Sequence, residues 1–491
     1  MSIALVRSPL CALLTLALAC GAAKAQTSTS SPETAERRST LSDQQSVAVT
    51  IYNQDLALVE DARRVQIDQG MNRLALRDVS ALIRPETALL RSLSHPGSFS
   101  LLEQNFDFDL LTSTKLLEKY VGRQVRVIKV HPTTGVETVE QAKVLSANQG
   151  VILQMGDRIE TGVPGRIVFD DVPANLRDRP TLVTQLHSQR SAMQDLELSY
   201  LTRGLSWRAD YVAELSVDDG ALDLNGWVTL NNLSGTTYTN ARLQLVAGDV
   251  NRVRDELRSD VDGRRKIAME SSAMAAPMAQ ESLFEYHLYT LQRPTTLANQ
   301  QTKQVALLNA SGVPAKKEFV LSGSEHYYHG KAGEIGRKIK IGVFVEFSNK
   351  DSSNLGQPLP KGVVRVYKRD SAGNAQFVGE DRIDHTPKNE TVRLRLGEAF
   401  DVTADKKQTD FRRRETTNSA SYVHESAYEI VLKNAKTEPV TVTVMEPVPG
   451  DWTILQESHK HSKVASNTAR WQVAVPAGGS TTLSYRVVVR Y

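Results

Sequence analysis

Residues 339–347 read Ile-Lys-Ile-Gly-Val-Phe-Val-Glu-Phe, and this stretch decides how the rest of the sequence is interpreted. Apolar side chains occupy every second position, from Ile339 to Phe347. Side chains of a β-strand alternate between the two faces of the sheet, so this period of two predicts a strand with one buried face. Half-buried strands of this kind are typical of antiparallel sheets.

The same alternation recurs along the chain, for example at residues 47–51, 392–396 and 440–444. In residues 65–76, alternating apolar positions lie on either side of Gly-Met-Asn, a pattern that predicts a β-hairpin. Many such strands separated by Gly, Pro and Asn predict a mainly β fold. We expect several antiparallel β-sandwich or small-barrel domains.

Helical signals are few. Thr112 or Ser113 is placed to cap one short helix that ends at Gly122. Its apolar face would carry Leu116, Leu117, Tyr120 and Val121. Residues 254–280, which are charged and then rich in Ala and Met, are predicted to be a mobile insertion that is partly helical or disordered.

These patterns divide the chain into six segments. They are a signal peptide (1–25), a disordered tether (26–45), a β domain (46–105), a helix plus small β-barrel (106–178), a large β region that contains the insertion (179–427), and a C-terminal β-sandwich lobe (428–491).

The N-terminus predicts export. Arg7 precedes a short apolar run, and Ala23-Lys24-Ala25 predicts signal-peptide cleavage between Ala25 and Gln26. The run is too short to cross a bilayer as a helix. We therefore expect a periplasmic or secreted protein. The residues before Cys20 loosely resemble a lipoprotein signal, so an outer-membrane lipoprotein lipidated at Cys20 is the alternative.

Composition excludes several classes of function. Both cysteines, Cys11 and Cys20, lie in the signal region, so the mature protein would have neither disulfides nor thiolate chemistry. The sequence carries 59 Lys and Arg against 56 Asp and Glu, a net charge of +3. This balance argues against nucleic acid or an anionic membrane surface as the main partner.

No familiar catalytic motif is present. Gly204-Leu205-Ser206 has only the first half of a nucleophile elbow, and no phosphate-binding Gly-rich loop occurs. Asp381, Asp384 and His385 lie close together in sequence, but a turn around Thr386 explains these residue types equally well. No catalytic residue is predicted, and an envelope hydrolase with a dispersed carboxylate and histidine site is the alternative.

Metal-binding signals are weak, and we predict no cofactor. His459 and His461 would share one face of a strand, but they lack a third ligand nearby in sequence, so a solvated hairpin tip is the simpler interpretation. His424-Glu425 begins like a zinc-protease helix but has Tyr428 in place of the second histidine. His326 and His329 would need a turn to meet.

Two further patterns lie near the C-terminus. Lys406-Lys407 and Arg412–Arg414 form a basic stretch, interpreted as a solvated long hairpin, with contact to an anionic polysaccharide as the alternative. Residues 483–491 alternate up to Tyr491, as the last strand of an outer-membrane barrel does. Because Pro and charged loops interrupt this pattern elsewhere, we interpret it as the closing strand of a soluble sandwich.

Several segments together resemble a large bacterial family of domains of unknown function, whose relatives include proteins called mucoidy-inhibitor-like. These segments are Tyr52–Val59, Leu198–Tyr200, Gly204–Tyr211, Asn231–Gly235, Leu245–Val250, Pro358–Gly362, Gly379–Arg382, Lys433–Ala435 and Pro449–Trp452. The resemblance implies an exported β-rich protein, and no activity transfers with it.

The expectation is therefore an exported cell-envelope protein that acts as an interaction or structural module. Its partner would be an envelope protein or a polysaccharide, not nucleic acid, and it would contact the membrane only if Cys20 is lipidated or if the chain forms a barrel.

Overall fold

The computed structural model describes residues 35–53, 55–148, 150–163, 165–173, 176–248, 278–283, 286–415 and 422–491. The signal region, Cys20, Ala25, Gln26 and residues 254–277 of the insertion therefore lie outside the described residues. Within them the protein is mainly β with one short α-helix, as predicted. No helix in this part of the chain has the length and apolarity needed to span a membrane.

The first half of the chain forms nineteen strands and the helix. The strands before the helix are β1 (Glu36–Ser39), β2 (Gln44–Tyr52), β3 (Leu56–Ile67), β4 (Gly70–Arg77), β5 (Leu89–Ser92) and β6 (Phe99–Asp107). Helix α1 (Ser113–Lys119) precedes β7 (Gln124–Val130), β8 (Glu137–Ser146), β9 (Ile152–Met155), β10 (Arg158–Glu160) and β11 (Arg166–Val168). Then come β12 (Thr181–Ser188), β13 (Ala192–Thr202), β14 (Leu205–Leu215), β15 (Ala221–Asn232), β16 (Tyr238–Ala247), β17 (Ala279–Leu283), β18 (Tyr286–Thr290) and β19 (Thr295–Leu297).

The second half contains longer strands. They are β20 (Gln301–Ser322), β21 (Glu334–Ser348), β22 (Gly362–Arg369), β23 (Ala375–Ile383), β24 (Thr391–Glu415), β25 (Tyr422–Asn434), β26 (Val440–Pro447), β27 (Asp451–Glu457), β28 (Ser462–Ala465), β29 (Thr468–Val475) and β30 (Ser480–Arg490). Short 3-10 turns lie at Leu41–Asp43, Pro85–Thr87, Glu325–Tyr328 and Asp351–Ser353.

Four sheets result. One has four strands in the order β1-β4-β12-β6, and one has five in the order β10-β9-β8-β7-β11. An eight-stranded sheet runs β17-β18-β16-β2-β3-β13-β5, with β19 paired to β16. A thirteen-stranded sheet runs β23-β22-β14-β15-β20-β21-β24-β25-β30-β27, with β26, β28 and β29 branching from it.

Apolar faces of these sheets form two large cores and one small core. The first core includes Ile51, Tyr211 and Leu243. The second takes its side chains from residues 319–489, including Trp471 and the buried alternate residues Leu483, Tyr485, Val487 and Val489 of β30. The predicted closing strand, β30, lies between β25 and β27.

Three long strands, β20, β21 and β24, run through both large cores. β24 places Val392 and Leu394 in the first core and Val402 and Ala404 in the second. The β21–β24 ladder shifts register twice between these regions, and such bulges bend paired strands. The core of the predicted C-terminal lobe at 428–491 therefore also contains strands that begin at residue 301.

The region predicted as a helix plus small barrel contains the helix but an open sheet. Thr112 caps α1, its hydroxyl accepting a hydrogen bond from Lys115 N, and Gly122 follows the helix with a φ of +86°. β10 and β11 lie at opposite edges of the five-stranded sheet and do not pair, so no barrel closes. Both edge strands are three residues long, too short to form an extended closing ladder.

Two other expectations differ from the structure. Residues 65–76 were expected to form a hairpin, but β3 and β4 belong to different sheets. The Asn72 side chain holds the corner through hydrogen bonds to the backbone of Asp68 and Gly70. Residues 36–45, assigned to the tether from their polarity, form β1, a 3-10 turn and the start of β2. β1 pairs in parallel with β4.

A recurring corner ends three strands. Asn232, Asn349 and Asn434 are buried, and each side-chain amide donates to two backbone carbonyls. The acceptors are Thr236 and Leu297, Gln357 and Pro387, and Glu438 and Pro476, at 2.8–3.1 Å. Each asparagine thereby satisfies buried carbonyls at a point where the chain leaves its ladder.

Candidate binding surface

His459 and His461 lie in the loop between β27 and β28. His461 Nδ1 is 2.9 Å from Glu457 Oε2, and His459 Nδ1 is 2.9 Å from Ser458 Oγ. Trp471 Nε1 also donates to Glu457 Oε2, at 2.9 Å. Within the described ranges, no group of three or more His, Cys, Asp and Glu side chains is arranged to hold a metal ion.

The residues of the acidic cluster around Thr386 have different partners. Asp381 accepts hydrogen bonds from Arg382 N and Arg395 N, at 2.8 and 2.7 Å. His385 Nδ1 accepts from Lys361 N at 3.2 Å, and Asp384 is exposed to solvent. Thr386 pairs with Leu359 in an isolated bridge, which supports the interpretation of this segment as a structural turn.

A shallow depression lies elsewhere in the described part of the chain. Its apolar lining includes Ile51, Leu205, Leu230 and Leu297, and its one ionisable group is Lys303. Substrate pockets are usually deep enough to enclose most of the ligand surface.

A different surface brings together several of the motifs, at the end of the β24–β25 hairpin. We define the hairpin end as residues 410–415 of β24, residues 422–427 of β25 and the neighbouring end of β30. Arg412 pairs with Glu425 across the two strands, and Arg413 pairs with His424. On the other side of β25, His424 pairs with Val489.

The outer face of the hairpin end is charged and exposed. Arg486 Nη1 lies 2.9 Å from a carboxylate oxygen of both Asp410 and Glu425. Arg412 and Arg414 extend from the same face and contact Asp410 and Glu425 at 3.3 and 3.1 Å, with side-chain exposures of 59% and 65%. The hydrogen bond from Arg486 holds the pKa of Asp410 below its ordinary value. Three guanidinium groups therefore share two carboxylates.

The inner face of the hairpin end is aromatic. The Tyr422 ring stacks on Tyr491 at a centroid distance of 5.0 Å, and the His424 ring lies 4.8 Å from Tyr422. Phe411 meets the edge of His424 at 5.0 Å, and the Arg413 guanidinium lies 5.0 Å from the centre of the Tyr422 ring. Partial burial raises the pKa of Tyr491 to about 12, so this hydroxyl stays protonated at neutral pH.

Tyr328 joins this face to the second core. Its carbonyl lies 3.1 Å from His424 Nδ1 and accepts a hydrogen bond from the Tyr491 hydroxyl, also at 3.1 Å. Its own hydroxyl points inward, donating to Glu446 Oε2 at 2.9 Å and lying 2.8 Å from the Tyr485 hydroxyl. Burial raises the pKa of Tyr328 well above its ordinary value.

Beneath Tyr328 lies a buried ion pair. Lys406 Nζ is 2.7 Å from both carboxylate oxygens of Glu446, and the two side chains are only 3% and 0% exposed. The rings of Tyr327 and Tyr428 flank the ammonium at 4.6 and 5.5 Å, which adds cation–π attraction. Lys406 was assigned to a solvated basic stretch from the sequence, and that assignment is wrong for this residue.

The hairpin end thus unites four patterns that looked separate in the sequence: Arg412–Arg414, His424-Glu425, His326–His329 and the C-terminal Tyr491. The 3-10 turn Glu325–Tyr328 precedes His329, whose ring packs 5.1 Å from Tyr491, while His326 Nδ1 lies 2.6 Å from Ser324 Oγ. Sequence reasoning missed the Lys406–Glu446 pair. The available signal was that Lys406 follows Val402 and Ala404 on the inward-facing alternation.

Comparison with known proteins adds a family without an assigned activity. No curated protein matches the chain. Residues 196–491, more than half of the sequence, match the family model described as a domain of unknown function, DUF4139. The match covers all of the second core and the hairpin end. The chain therefore belongs to the DUF4139 family.

Proposed function

We propose that the protein is exported to the bacterial cell envelope and works there as a binding protein, with the hairpin end as its contact surface. The partner is an envelope protein or polysaccharide. The N-terminal signal pattern and the resemblance to mucoidy-inhibitor-like proteins support the location.

The observation that carries the proposal is the concentration of arginine and tyrosine on the two faces of one hairpin end, where Arg412, Arg413 and Arg414 are exposed. Arg and Tyr are enriched in binding interfaces because they combine large contact area with directed hydrogen bonding. Here Arg412 and Arg414 extend from the outer face, while Tyr422 and Tyr491 lie on the inner face. Tyr328 and the buried pair below it fix the inner face in position.

A hydrolase is the weaker proposal. It would need two carboxyl groups facing each other across a cleft, about 5–10 Å apart. Near Thr386, Asp381 accepts hydrogen bonds from backbone amides and Asp384 is exposed to solvent, while at the hairpin end Asp410 and Glu425 pair with arginines.

The location can be tested by cell fractionation. The protein, expressed with its own N-terminus, would be recovered from periplasmic, membrane and medium fractions for intact-mass measurement. We expect a soluble species that begins at Gln26. A membrane species carrying acyl groups on Cys20 would instead identify a lipoprotein, and retention of the full chain in the cytoplasm would contradict export.

Binding would be tested by chemical cross-linking in intact cells. The double variant Arg412→Glu/Arg414→Glu should lose cross-linked partners that the unmodified protein captures. A matched control is Arg158→Glu/Arg166→Glu on the five-stranded sheet, where both arginines are similarly exposed (54% and 62%) and also pair with carboxylates. Equal losses in the two variants would contradict the assignment of the hairpin end as the contact surface.

A further inference from the structure

Among the residues that the structure describes, one side of β24 has no strand beside it at the hairpin end. β24 pairs with β21 from Thr391 to Lys407 and with β25 from Val402 to Glu415, and the last register position with β21 pairs Glu334 with Lys407. One more backbone bond follows, from Gln408 N to Gly333 O at 2.7 Å. Within the described residues, Asp410–Glu415 pairs only with β25.

The backbone geometry shows which groups face the uncovered side. Tyr491 N donates to the carbonyl of Tyr422, so Tyr422 directs its backbone groups toward β30. Backbone direction alternates along a strand, so His424 and Ser426 also face β30. Their register partners on β24 are Glu415, Arg413 and Phe411. These three residues must therefore direct their backbone N–H and C=O groups away from β25, to the side where β21 has ended.

Side chains on either side of this edge are cationic or aromatic. Arg412 and Arg414 project from the outer face, and Phe411 and Arg413 from the inner face. The ion pair of Arg412 is solvent-exposed and weak, and the Arg414 partner Glu425, whose side chain is 11% exposed, also pairs with Arg486, so an incoming carboxylate can bind both arginines at little cost. Uncovered strand edges usually carry devices that prevent pairing, such as bulges. The ladder here shifts register only between Gln408 and Asp410, before the uncovered part.

The edge of β6 differs in these respects. β6 pairs only with β12 among the described strands, and its ladder contains a bulge at Leu102. Its charged residues are the acidic Glu103 and Asp107. An acidic strand approaching β6 would meet like charge and a distorted ladder, whereas the end of β24 offers a regular edge on which three arginines outnumber the acidic Asp410 and Glu415.

We propose that the Asp410–Glu415 edge binds an extended acidic peptide segment of a partner protein by β-augmentation, in which the segment adds as a strand to β24. Backbone bonds would form with Arg413, with Glu415 and with the Phe411 carbonyl, since the Phe411 N–H already hydrogen-bonds the Asp410 carboxylate. Carboxylates on alternate positions of the segment would contact Arg412 and Arg414, and the intervening apolar side chains would pack beside Phe411. This inference rests on the proposed function, because it names the partner class of the same surface.

The test uses the mature protein and fluorescent, end-blocked seven-residue peptides in an anisotropy titration at low salt. The first probe alternates glutamate and valine, and the second alternates lysine and valine. A third and a fourth repeat the first with N-methyl groups on one or the other set of alternate amides. We expect the glutamate peptide to bind and the lysine peptide to bind at least about tenfold more weakly. Because N-methylation removes the donors that pair with β24, one of the two N-methyl registers should also bind at least about tenfold more weakly.

Protein variants provide a second measurement. Arg413→Pro removes an N–H on the uncovered side without removing a bond to β25, and Arg413→Ala is its matched control for the lost side chain. We expect the proline variant to bind the glutamate peptide about threefold to tenfold more weakly than the alanine variant. If the proline variant does not fold, the N-methylated peptides still decide the role of the backbone.

Equal binding of the glutamate peptide and both of its N-methylated forms would overturn β-augmentation. Binding of an oligogalacturonate that depends on Arg412 and Arg414, without binding of any peptide, would overturn the peptide inference while supporting the proposed binding function. If neither the peptides nor the oligogalacturonate bind, and cells show no arginine-dependent capture of a partner, the inference and the proposed function are both contradicted.

Discussion

The two large cores each bury an ion pair, but the pairs serve different parts of the structure. In the first, Arg63 contacts Asp61 at 2.7 Å and also donates to the carbonyls of Ser39 and Arg77. It thereby links strands β1, β3 and β4 of two sheets. In the second, Glu446 pairs with Lys406 and accepts a hydrogen bond from Tyr328, which lies in the 3-10 turn Glu325–Tyr328. The first pair joins regular strands, while the second anchors a turn that packs on the hairpin end.

This difference suggests what the second pair contributes. A buried ion pair adds little net stability because desolvating the two charges offsets most of their attraction. The pair holds Tyr328 in place, because Glu446 accepts a hydrogen bond from the Tyr328 hydroxyl. An apolar pair at the same two positions would not provide this acceptor. We hypothesise that the Lys406–Glu446 pair is a positioning device for the aromatic face.

The largest expected effect is on the free energy of unfolding. Glu446→Gln leaves the Lys406 ammonium buried without a counter-charge and should cost about 3–5 kcal/mol. Asp61→Asn should cost less, about 1–3 kcal/mol, because Arg63 keeps two carbonyl acceptors. Urea denaturation followed by tryptophan fluorescence can compare the variants, since Trp207 belongs to the first core and Trp471 to the second.

A double variant sharpens this result. Lys406→Met/Glu446→Leu removes both charges and should recover most of the stability lost in Glu446→Gln. If the double variant recovers stability but loses partner capture, the pair acts through position. Full capture by the stable double variant would contradict the positioning role.

A smaller effect is expected for one hydroxyl. Tyr328→Phe removes the donor to Glu446 and the contact with Tyr485, and should cost about 1–2 kcal/mol. Hydrogen exchange should increase most in residues 323–333. Tyr200→Phe in the first core is the control, because Tyr200 is also fully buried but accepts one long bond, from Ser80 N at 3.3 Å. Equal increases across the whole chain in the two variants would argue against local anchoring.

The attachment of β1 to the first core should depend on pH. Glu36 accepts hydrogen bonds from Arg177 Nη1 and Nη2, both at 2.7 Å, and chiefly for this reason its pKa is lowered from 4.5 to about 2. A lowered carboxyl pKa stabilises the folded state above the unfolded value of 4.5 and loses that contribution as pH falls toward 2. Thermal unfolding between pH 6 and 2 should show this loss. Glu36→Gln should reduce the slope in that window, and an unchanged slope would contradict the assignment.

The smallest expected effect on stability is at the hairpin end itself. Arg412→Glu/Arg414→Glu replaces exposed, weakly paired side chains, so the free energy of unfolding should change by no more than about 1 kcal/mol. The same variant should lose partner capture. Loss of capture accompanied by a large loss of stability would mean that these arginines are structural.

Much of the fold could be predicted from alternation, because a period of two directly reports one buried sheet face. Alternation does not report which strand is the neighbour, so β3 and β4 read as a hairpin although they turn between two sheets. It also fails where a strand bulges. β24 crosses register shifts near Gly397 and therefore looked like separate short strands rather than one of 25 residues.

The candidate site was less predictable, because its parts come from distant positions. Lys406 and Glu446 lie forty residues apart, and lysine is rarely buried, so exposure was the reasonable expectation. The three asparagine corners have only the asparagine in common and share no motif longer than that residue. No internal sequence repeat was therefore recognised from them. Arg412–Arg414 were visible in the sequence, but the uncovered side of β24 becomes apparent only once its ladder with β21 is seen to end at the Glu334–Lys407 pair.

The most direct test of the contact surface uses two phenylalanines of the same strand. A photoreactive phenylalanine analogue would replace Phe411, at the hairpin end, or Phe400, which is 94% exposed on the same strand. After irradiation of cells that export the protein, we predict a discrete cross-linked species from position 411 and none from position 400. Cross-linking at position 400 alone, or equally at both positions, would contradict the hairpin end as the contact surface.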